Sequence, residues 1–228
     1  LGMRLVKKSV NQDVTDTYHL FYADADGHAG TDLTFFPWPD RPLGRRGVGL
    51  TNEVSLAVPS GSLAYWAERL AARGVRSSGA VMRFGERVLT FNDPHGLALT
   101  LAETSDPREF TAWQGSVVPP EMQIMGLHAV RMAERAATPT RDFLINGMGF
   151  SELGEEDGWH RYAIGSGGSG RFLDLLEAPS EARGAWGVGS VHHVAWRVAA
   201  DDTDVAPRRG TPAAGADARG GRDGCRAP

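Results

Sequence analysis

One pattern of strands and helices recurs along this chain, and it restricts the fold more than any other feature. In three segments a turn of small residues leads into a strand, a hairpin follows, and a strongly apolar strand ends at an acidic residue or a proline. The repeating unit is strand–helix–strand–strand–strand, about 50–60 residues long, and we call it a module. The three segments are "LGMRLVKK…YHLFYAD…TDLTFFPWP", "ARGVRSSG…RVLTFND…LALTLAE" and "NGMGFSELG…HRYAIGS…RFLDLLEAP".

Two of the four modules are predicted to be complete. Module two covers Thr51–Glu103 and module three covers Met125–Pro179, each with the order βαβββ. In module two the stretch "SGSLAYWAERLAARG" predicts a helix with Ser60 as its N-cap and Gly74 at its end. Module one lacks its opening strand and helix, and module four keeps only an opening strand, Ser190–Val198. The predicted fold class is therefore α+β, with tandem βαβββ modules that form cupped mixed sheets.

The composition along the chain predicts where domains end. An N-terminal domain is expected over 1–103, a proline-containing linker over 104–122, and a C-terminal domain over 123–198. Residues 199–228 contain one Val and no Leu, Ile, Met, Phe, Tyr or Trp, which predicts a disordered tail. We interpret the Ala-, Arg-, Gly-, Asp- and Pro-rich composition of this tail as the result of a frameshift near Asp201–Pro207.

Charge and hydropathy exclude two classes of partner. The chain carries 24 Lys and Arg against 28 Asp and Glu, so it offers no basic surface for nucleic acid. No apolar run approaches the roughly 20 residues that span a bilayer, so no membrane partner is predicted. The single cysteine, Cys225, favours a reducing, cytoplasmic location. The sequence opens with "LGMRLVKK", without an initiator Met and within a predicted strand, which suggests that an N-terminal piece is missing.

The βαβββ repeat resembles the vicinal-oxygen-chelate superfamily, which includes glyoxalases, bleomycin-resistance proteins and extradiol dioxygenases. More narrowly, the sequence of the first segment is similar to glyoxalase-like ring-cleaving dioxygenases that act on hydroquinone- or catechol-type compounds. The residues that carry this similarity are "LGMRLVKKSVNQD…DTYHLFYAD…GTDLTFFPWP". The resemblance covers roughly residues 1–198. It implies two domains of paired modules, Fe(II) as cofactor, and a small aromatic diol and O₂ as substrates. Assembly into a homo-oligomer stays open.

The resemblance also implies a metal site of two His and one Glu, the ligand set of O₂-activating non-haem iron. Its module-four histidine maps onto "SVHHVAW" as His193, the predicted metal ligand, with His192 beside it as a candidate catalytic residue. The other His is expected before Leu1, and the Glu beyond residue 198. His128 in "GLHAVRM" is the second candidate catalytic residue, at the position of a pocket-lining histidine. The alternative for each histidine is a core or surface residue with satisfied hydrogen bonds.

Other motifs have plainer interpretations. "GSGGSG" (Gly165–Gly170) fits G-x-G-x-x-G, but no helix follows it, so a hairpin loop is predicted instead of a nucleotide site. His19 in "TYHLFYAD" is assigned to packing or hydrogen bonding. One imidazole cannot hold iron tightly, so we expect the chain as written to be an impaired dioxygenase. A non-catalytic aromatic-binding protein of the same fold and a non-functional truncated product are the alternatives.

Overall fold

A computed structural model of the chain describes residues 1–12, 14–38 and 40–197. The predicted tail and frameshift lie outside these residues. The helices are α1 (Leu63–Ala71) and α2 (Thr138–Asp142), with a π-helical turn (Phe143–Gly147) after α2 and a 3₁₀ turn (Pro120–Met122) before β8. The strands are β1 (Arg4–Val10), β2 (Tyr18–Ala23), β3 (Leu33–Phe35), β4 (Leu50–Pro59), β5 (Ser77–Arg83), β6 (Glu86–Asn92), β7 (Ala98–Thr104), β8 (Gly126–Glu134), β9 (Phe150–Glu156), β10 (Trp159–Ile164) and β11 (Phe172–Glu177).

Modules two and three have the predicted element order, and the α+β fold is confirmed. Module two runs β4–α1–β5–β6–β7, and module three runs β8–α2–β9–β10–β11. All eight strands join one mixed sheet in the order β5-β6-β7-β4-β8-β11-β10-β9. The module one strands form a separate three-stranded sheet, β1-β2-β3.

The eight-stranded sheet joins the two complete modules at its centre. The first strands of modules two and three, β4 and β8, pair antiparallel, and each pairs parallel with the last strand of its own module. The sheet therefore continues across the predicted linker 104–122, and residues 1–197 form one compact unit. The division into domains 1–103 and 123–198 stays a prediction, which this sheet does not follow.

Alternation along β4 separates an apolar face from a polar one. Val54, Leu56 and Val58 are buried and pack with Trp66 and Leu70 of α1. The corresponding apolar face of module three packs on Leu144 and Phe150. The intervening residues of β4 point to the concave side of the sheet, where side chains from both halves meet. We call this concave side the cup.

The start of α1 differs from the prediction, whereas its end does not. The helix begins at Leu63, so that Ser62 is the N-cap in place of Ser60. The Ser62 hydroxyl bonds the Pro59 carbonyl, and Glu103 Oε1 accepts the Leu63 N–H at 3.0 Å. A carboxylate from β7 therefore caps the helix, which local sequence cannot reveal. Gly74 adopts φ +71° just after the helix, as predicted.

The predicted opening strand of module four is wrong for the residues described. Residues 191–197 have no strand assignment, because no described strand lies beside them to form a hydrogen-bonded ladder. Apolar and polar residues alternate in this segment as they do in a strand. A strand forms, however, only where a neighbouring strand pairs with the segment.

Two glycine-rich segments, 42–48 and 182–188, cross each other with a repeating hydrogen-bond pattern. Gly44 N–H donates to Val188 O at 2.8 Å, and Gly184 N–H donates to Val48 O at 2.9 Å. Arg45 and Ala185 exchange two backbone bonds of 2.7 and 2.8 Å. A shift of 140 in both residue numbers turns each of these bonds into another one of the set. The two segments are therefore related by an internal two-fold axis.

Glycine is required where the two backbones touch. A Cβ on Gly47 would lie 2.7 Å from the Gly184 backbone nitrogen, and a Cβ on Gly187 would lie 2.7 Å from that of Gly44. Side chains at these positions would push the segments apart. The crossing fixes the course of the chain from Val188 onward, and with it the position of His192 and His193.

Candidate active site

A cleft of about 1300 Å³ opens between the three-stranded sheet and the apolar face of the eight-stranded sheet. We call it the aromatic cleft, after the rings on its walls. Its floor is aliphatic because β4, β7 and β8 turn their apolar side chains toward it. The lining residues used below are His19, Phe21, Thr34, Phe36, Trp38, Arg41, Trp186, His192 and His193, over a floor of Val54, Leu99, Leu127 and Val130.

The rings on the two walls contact one another. The His192 ring centroid lies 5.3 Å from that of Phe36, 5.8 Å from Trp38 and 5.7 Å from Trp186. Trp38 and Trp186 meet edge to face at 5.5 Å, and the Arg41 guanidinium lies over both. Such a set of ring faces and edges suits a flat aromatic ligand, which gains apolar burial and ring contacts together.

His192 and His193 both reach the cleft. Their Nδ1 atoms are 2.8 Å apart, so one imidazole donates a hydrogen bond and the other accepts it. On a strand, adjacent residues face opposite sides, and only one of the pair would face the cleft. Residues 191–197 are not strand, so the backbone can turn both imidazoles toward the cleft.

His19 stands between two phenylalanines on the wall of the cleft. Its ring centroid lies 3.9 Å from that of Phe21 and 4.2 Å from that of Phe36. Its Nε2 is buried and has no hydrogen-bond partner among the residues described. Burial lowers the pKa of His19, and His193, Lys7 and His192 lower it further. The imidazole is therefore neutral at neutral pH, with a polar edge that no described residue satisfies.

The cup contains a different kind of site, in which His128 takes part. The register of β4 against β8 shifts between Ser55 and Leu56, which leaves His128 as the extra residue of a β-bulge. His128 is 1% exposed, with Nδ1 2.9 Å from Ser169 Oγ and Nε2 3.0 Å from Glu86 Oε2. Ser169 belongs to the predicted hairpin loop Gly165–Gly170, which the structure confirms between β10 and β11.

An ionic network continues from Glu86 across the cup. Arg161 donates to Glu86 at 2.6 Å and holds Asp174 through two bonds of 2.8 and 3.1 Å. Burial raises the pKa of Glu86, but the hydrogen bonds from His128 and Arg161 outweigh the effect of burial. The pKa of Glu86 is therefore below its usual value. Four strands separate β6 from β10 in the sheet, so this contact shows how strongly the sheet curls.

Arg131 lies at the centre of the cup. Its guanidinium stacks on Trp159 at 3.7 Å, with Nε 3.4 Å from Asp174 and Nη1 4.0 Å from Glu53. Burial lowers the pKa of Arg131 to about 10, helped by Arg83, so it remains charged at neutral pH. The Arg131 guanidinium therefore lies between two carboxylates in the cup. This arrangement indicates that the cup stabilises the fold.

The structure thus separates the predicted site residues. His192 and His193 meet in the aromatic cleft, where His19 joins them. His128 lies in the cup, and so does Glu53, which bonds Arg83 at 2.6 Å and Thr100 at 2.8 Å. The catalytic roles of His192 and His128 and the metal role of His193 stay predictions.

The donor set of the cleft does not by itself form the implied iron site. Within residues 1–12, 14–38 and 40–197, no three His, Cys, Asp or Glu side chains lie close enough together to hold a metal ion. The His192 and His193 nitrogens face each other at hydrogen-bond distance, which is not how two ligands face a common ion. We therefore derive no chemical step through iron.

Sequence reasoning missed the ionic network of the cup, although a signal for it was present. Single charged residues interrupt otherwise apolar strands, as Asp174 does in "RFLDLLEAP" and Glu53 does in "NEVSLAVP". A charged residue at one position of a buried strand predicts a buried partner. The partner itself, on another module, is set by the curl of the sheet.

None of the helices in the described part of the chain has the length and apolar character needed to cross a membrane.

Comparison with known proteins identifies the relatives of this chain. No protein-family model matches it. It is 39% identical over 204 residues to the "Putative ring-cleaving dioxygenase MhqO" of Bacillus subtilis, covering 90% of this chain and 64% of that protein. It is 34% identical over 210 residues to the chlorohydroquinone/hydroquinone 1,2-dioxygenase of Sphingobium indicum, covering 90% of this chain and 65% of that protein. The chain thus spans about 65% of the length of these curated relatives.

Solved structures of similar fold include one named as a dioxygenase. A crystal structure of a "putative dioxygenase" from Bacillus subtilis superposes with a TM-score of 0.80 at 37% identity, over 90% of this chain and 65% of that one. Glyoxalase I from Zea mays shares the fold, with a TM-score of 0.57 at 16% identity over 81% of this chain and 63% of that one. The chain is therefore similar to proteins named ring-cleaving dioxygenases, and it shares the fold of glyoxalase I. The predicted resemblance to glyoxalase-like ring-cleaving dioxygenases of the vicinal-oxygen-chelate superfamily is confirmed.

Proposed function

We propose that this protein is a ring-cleaving, extradiol-type dioxygenase that acts on hydroquinone- or catechol-like aromatic compounds with Fe(II) and O₂. The observation that carries the proposal is the aromatic cleft, in which the histidines expected from the resemblance lie among Phe36, Trp38 and Trp186. Relatives named for this reaction, at 34–39% identity, support it.

The described residues support binding of an aromatic ring. An aliphatic floor and ring-bearing walls remove a small arene from water, and each buried ring contributes about 0.5–1.5 kcal/mol beyond its area in ring contacts. The imidazoles of His19, His192 and His193 are the polar groups available to its hydroxyls. In this proposal His193 is a metal ligand and His192 a neighbour that moves protons, while His128 supports the sheet from the cup.

A non-catalytic aromatic-binding protein of the same fold is the second candidate. The cleft supports this candidate, because its rings and aliphatic floor suit an arene whether or not a reaction follows. The two candidates share the ligand and differ in whether O₂ is consumed.

The experiment measures binding and turnover on the same preparation. Hydroquinone is titrated into the protein while intrinsic tryptophan fluorescence is followed, to which Trp38 and Trp186 of the cleft contribute. O₂ uptake is then recorded after anaerobic loading with Fe(II). We expect saturable quenching. Hydroquinone-dependent O₂ uptake should be weak, as predicted for an impaired dioxygenase, and absent in His193→Ala. His160→Ala is the control, because His160 is a partly exposed histidine that does not line the cleft.

Each outcome decides between the candidates. Quenching without O₂ uptake would favour the non-catalytic protein. Absence of quenching would contradict both candidates, since both depend on the cleft.

A further inference from the structure

The internal two-fold of the crossing segments extends into both sheets. In β2 and β3, Phe21 pairs with Thr34, Leu20 with Phe35 and Tyr22 with Leu33. Adding 140 to each number gives the pairs of β10 with β11: Arg161 with Asp174, His160 with Leu175 and Tyr162 with Leu173. The register is identical, so β2–β3 and β10–β11 are structurally equivalent hairpins.

The equivalence relates the aromatic cleft to the cup. The face of β10–β11 that points into the cup carries Trp159, Arg161 and Asp174. The equivalent positions, His19, Phe21 and Thr34, all line the aromatic cleft. The same offset relates Glu53 of the cup to His193 of the cleft.

The cup therefore indicates where a planar group fits. The guanidinium of Arg131 lies 3.7 Å over Trp159 and beside Asp174 and Glu53. The equivalent space in the cleft is bounded by His19, Thr34 and His193, and it is part of the open volume of the cleft.

The cup holds a cation, but the residues around the equivalent space in the cleft do not favour one. The carboxylates at positions 53 and 174 are replaced by His193 and Thr34, and the guanidinium at 161 is replaced by Phe21. No acidic pair is left to hold a positive charge at these positions. What remains is an apolar ring, a hydroxyl and imidazoles, which match an uncharged hydroxylated arene.

We propose that His19 anchors a hydroxyl group of the aromatic ligand through its Nε2, in the space bounded by Phe21, Thr34 and His193. This inference rests on the proposed function, because it names a contact of the same ligand in the same cleft. Nε2 is shielded from water and lacks a partner among the residues described, a state that a ligand hydroxyl relieves. An imidazole nitrogen and a hydroxyl can form a hydrogen bond in which either of them is the donor.

The test separates ring binding from hydroxyl binding. Affinities for hydroquinone and for 1,4-dimethoxybenzene are measured by quenching of tryptophan fluorescence in the wild type, His19→Phe and His19→Gln. Phe keeps a ring between Phe21 and Phe36 but removes the polar edge, whereas Gln places a polar atom near Nε2. The control is His160→Phe, because His160 is the partly exposed histidine of the equivalent hairpin and pairs with Glu152 at 2.7 Å.

We expect His19→Phe to bind hydroquinone about tenfold more weakly and dimethoxybenzene within twofold of the wild type, as for loss of one buried hydrogen bond. His19→Gln should retain most of the preference for hydroquinone, and His160→Phe should change neither affinity. Unchanged unfolding temperatures would show that the variants are folded. Equal hydroquinone affinity in the wild type and His19→Phe would overturn the role of His19 while the proposed function stands. A wild type that binds neither compound would overturn both.

Discussion

Asp24 is the carboxylate on which the turn after β2 is built. Its side chain is fully buried and accepts bonds from the His28 imidazole at 2.6 Å, Gly27 N–H at 2.7 Å and Thr111 N–H at 2.8 Å. Burial alone raises the pKa of Asp24, but these donors outweigh it and bring the pKa to about 2. Asp24 thereby ties module one to the segment before β8.

The lowered pKa of Asp24 predicts how stability depends on pH. Because the folded value lies below the unfolded value of 3.8, the stabilisation is complete above about pH 4 and is lost as the pH falls toward 2. We expect Asp24→Asn to cost about 2 kcal/mol of unfolding free energy at pH 7, measured by urea denaturation. The difference from the wild type should shrink between pH 4 and 2.

The matched control is Asp157→Asn. Asp157 is exposed and has φ +52°, a conformation that Asn also tolerates, so the exchange should be neutral. A pH-independent effect of Asp24→Asn would show that its carboxylate charge is not what stabilises the turn.

Among the elements, the two crossing segments have the strictest steric requirement. Gly47→Ala would place a methyl group against the Ala182 carbonyl and Gly184 backbone, so the segments must separate. We expect a loss of about 2 kcal/mol in unfolding free energy and weaker hydroquinone binding, because the crossing positions the histidine segment.

Urea denaturation and fluorescence titration of Gly47→Ala measure these effects, with exposed Arg46→Ala as the control from the same segment. Wild-type stability in Gly47→Ala would mean that the two backbones are not held together as closely as the hydrogen bonds indicate.

For the whole molecule, the segment 104–122 acts as a packed strap. The Arg108 guanidinium donates to the carbonyls of Met125 and Leu127 and to Ser169 Oγ at 2.8 Å. Gln123 donates to the carbonyls of Trp113 and Val118 at 3.0 Å each. Together with the bond from Thr111 N–H to Asp24, these bonds join module one, the strap and module three.

Limited proteolysis tests this description. We expect native protein to resist trypsin at Arg108 and to be cut earlier at Arg135, which is exposed in the bend between β8 and α2. Mass spectrometry of a digestion time course identifies the order of cleavage. Early cleavage at Arg108 would instead support the proline-containing linker predicted over 104–122.

The sequence by itself determined the elements of modules two and three and the apolar face of each. The two-residue alternation of β4 and the spacing of Leu63, Trp66 and Leu70 require burial of one face, whatever the partner is. Such patterns are local, because they depend only on the periodicity of a single strand or helix.

Only the tertiary structure decided which faces meet. The β4–β8 pairing joined module two to module three, a β-bulge turned His128 into the cup, and the chain crossing brought His192 and His193 to His19. The residues of these contacts lie up to about 170 positions apart, and many partners satisfy the same apolar and polar pattern. The choice among those partners comes from the curl of the sheet and the close approach of two backbones, which depend on the whole chain packing at once.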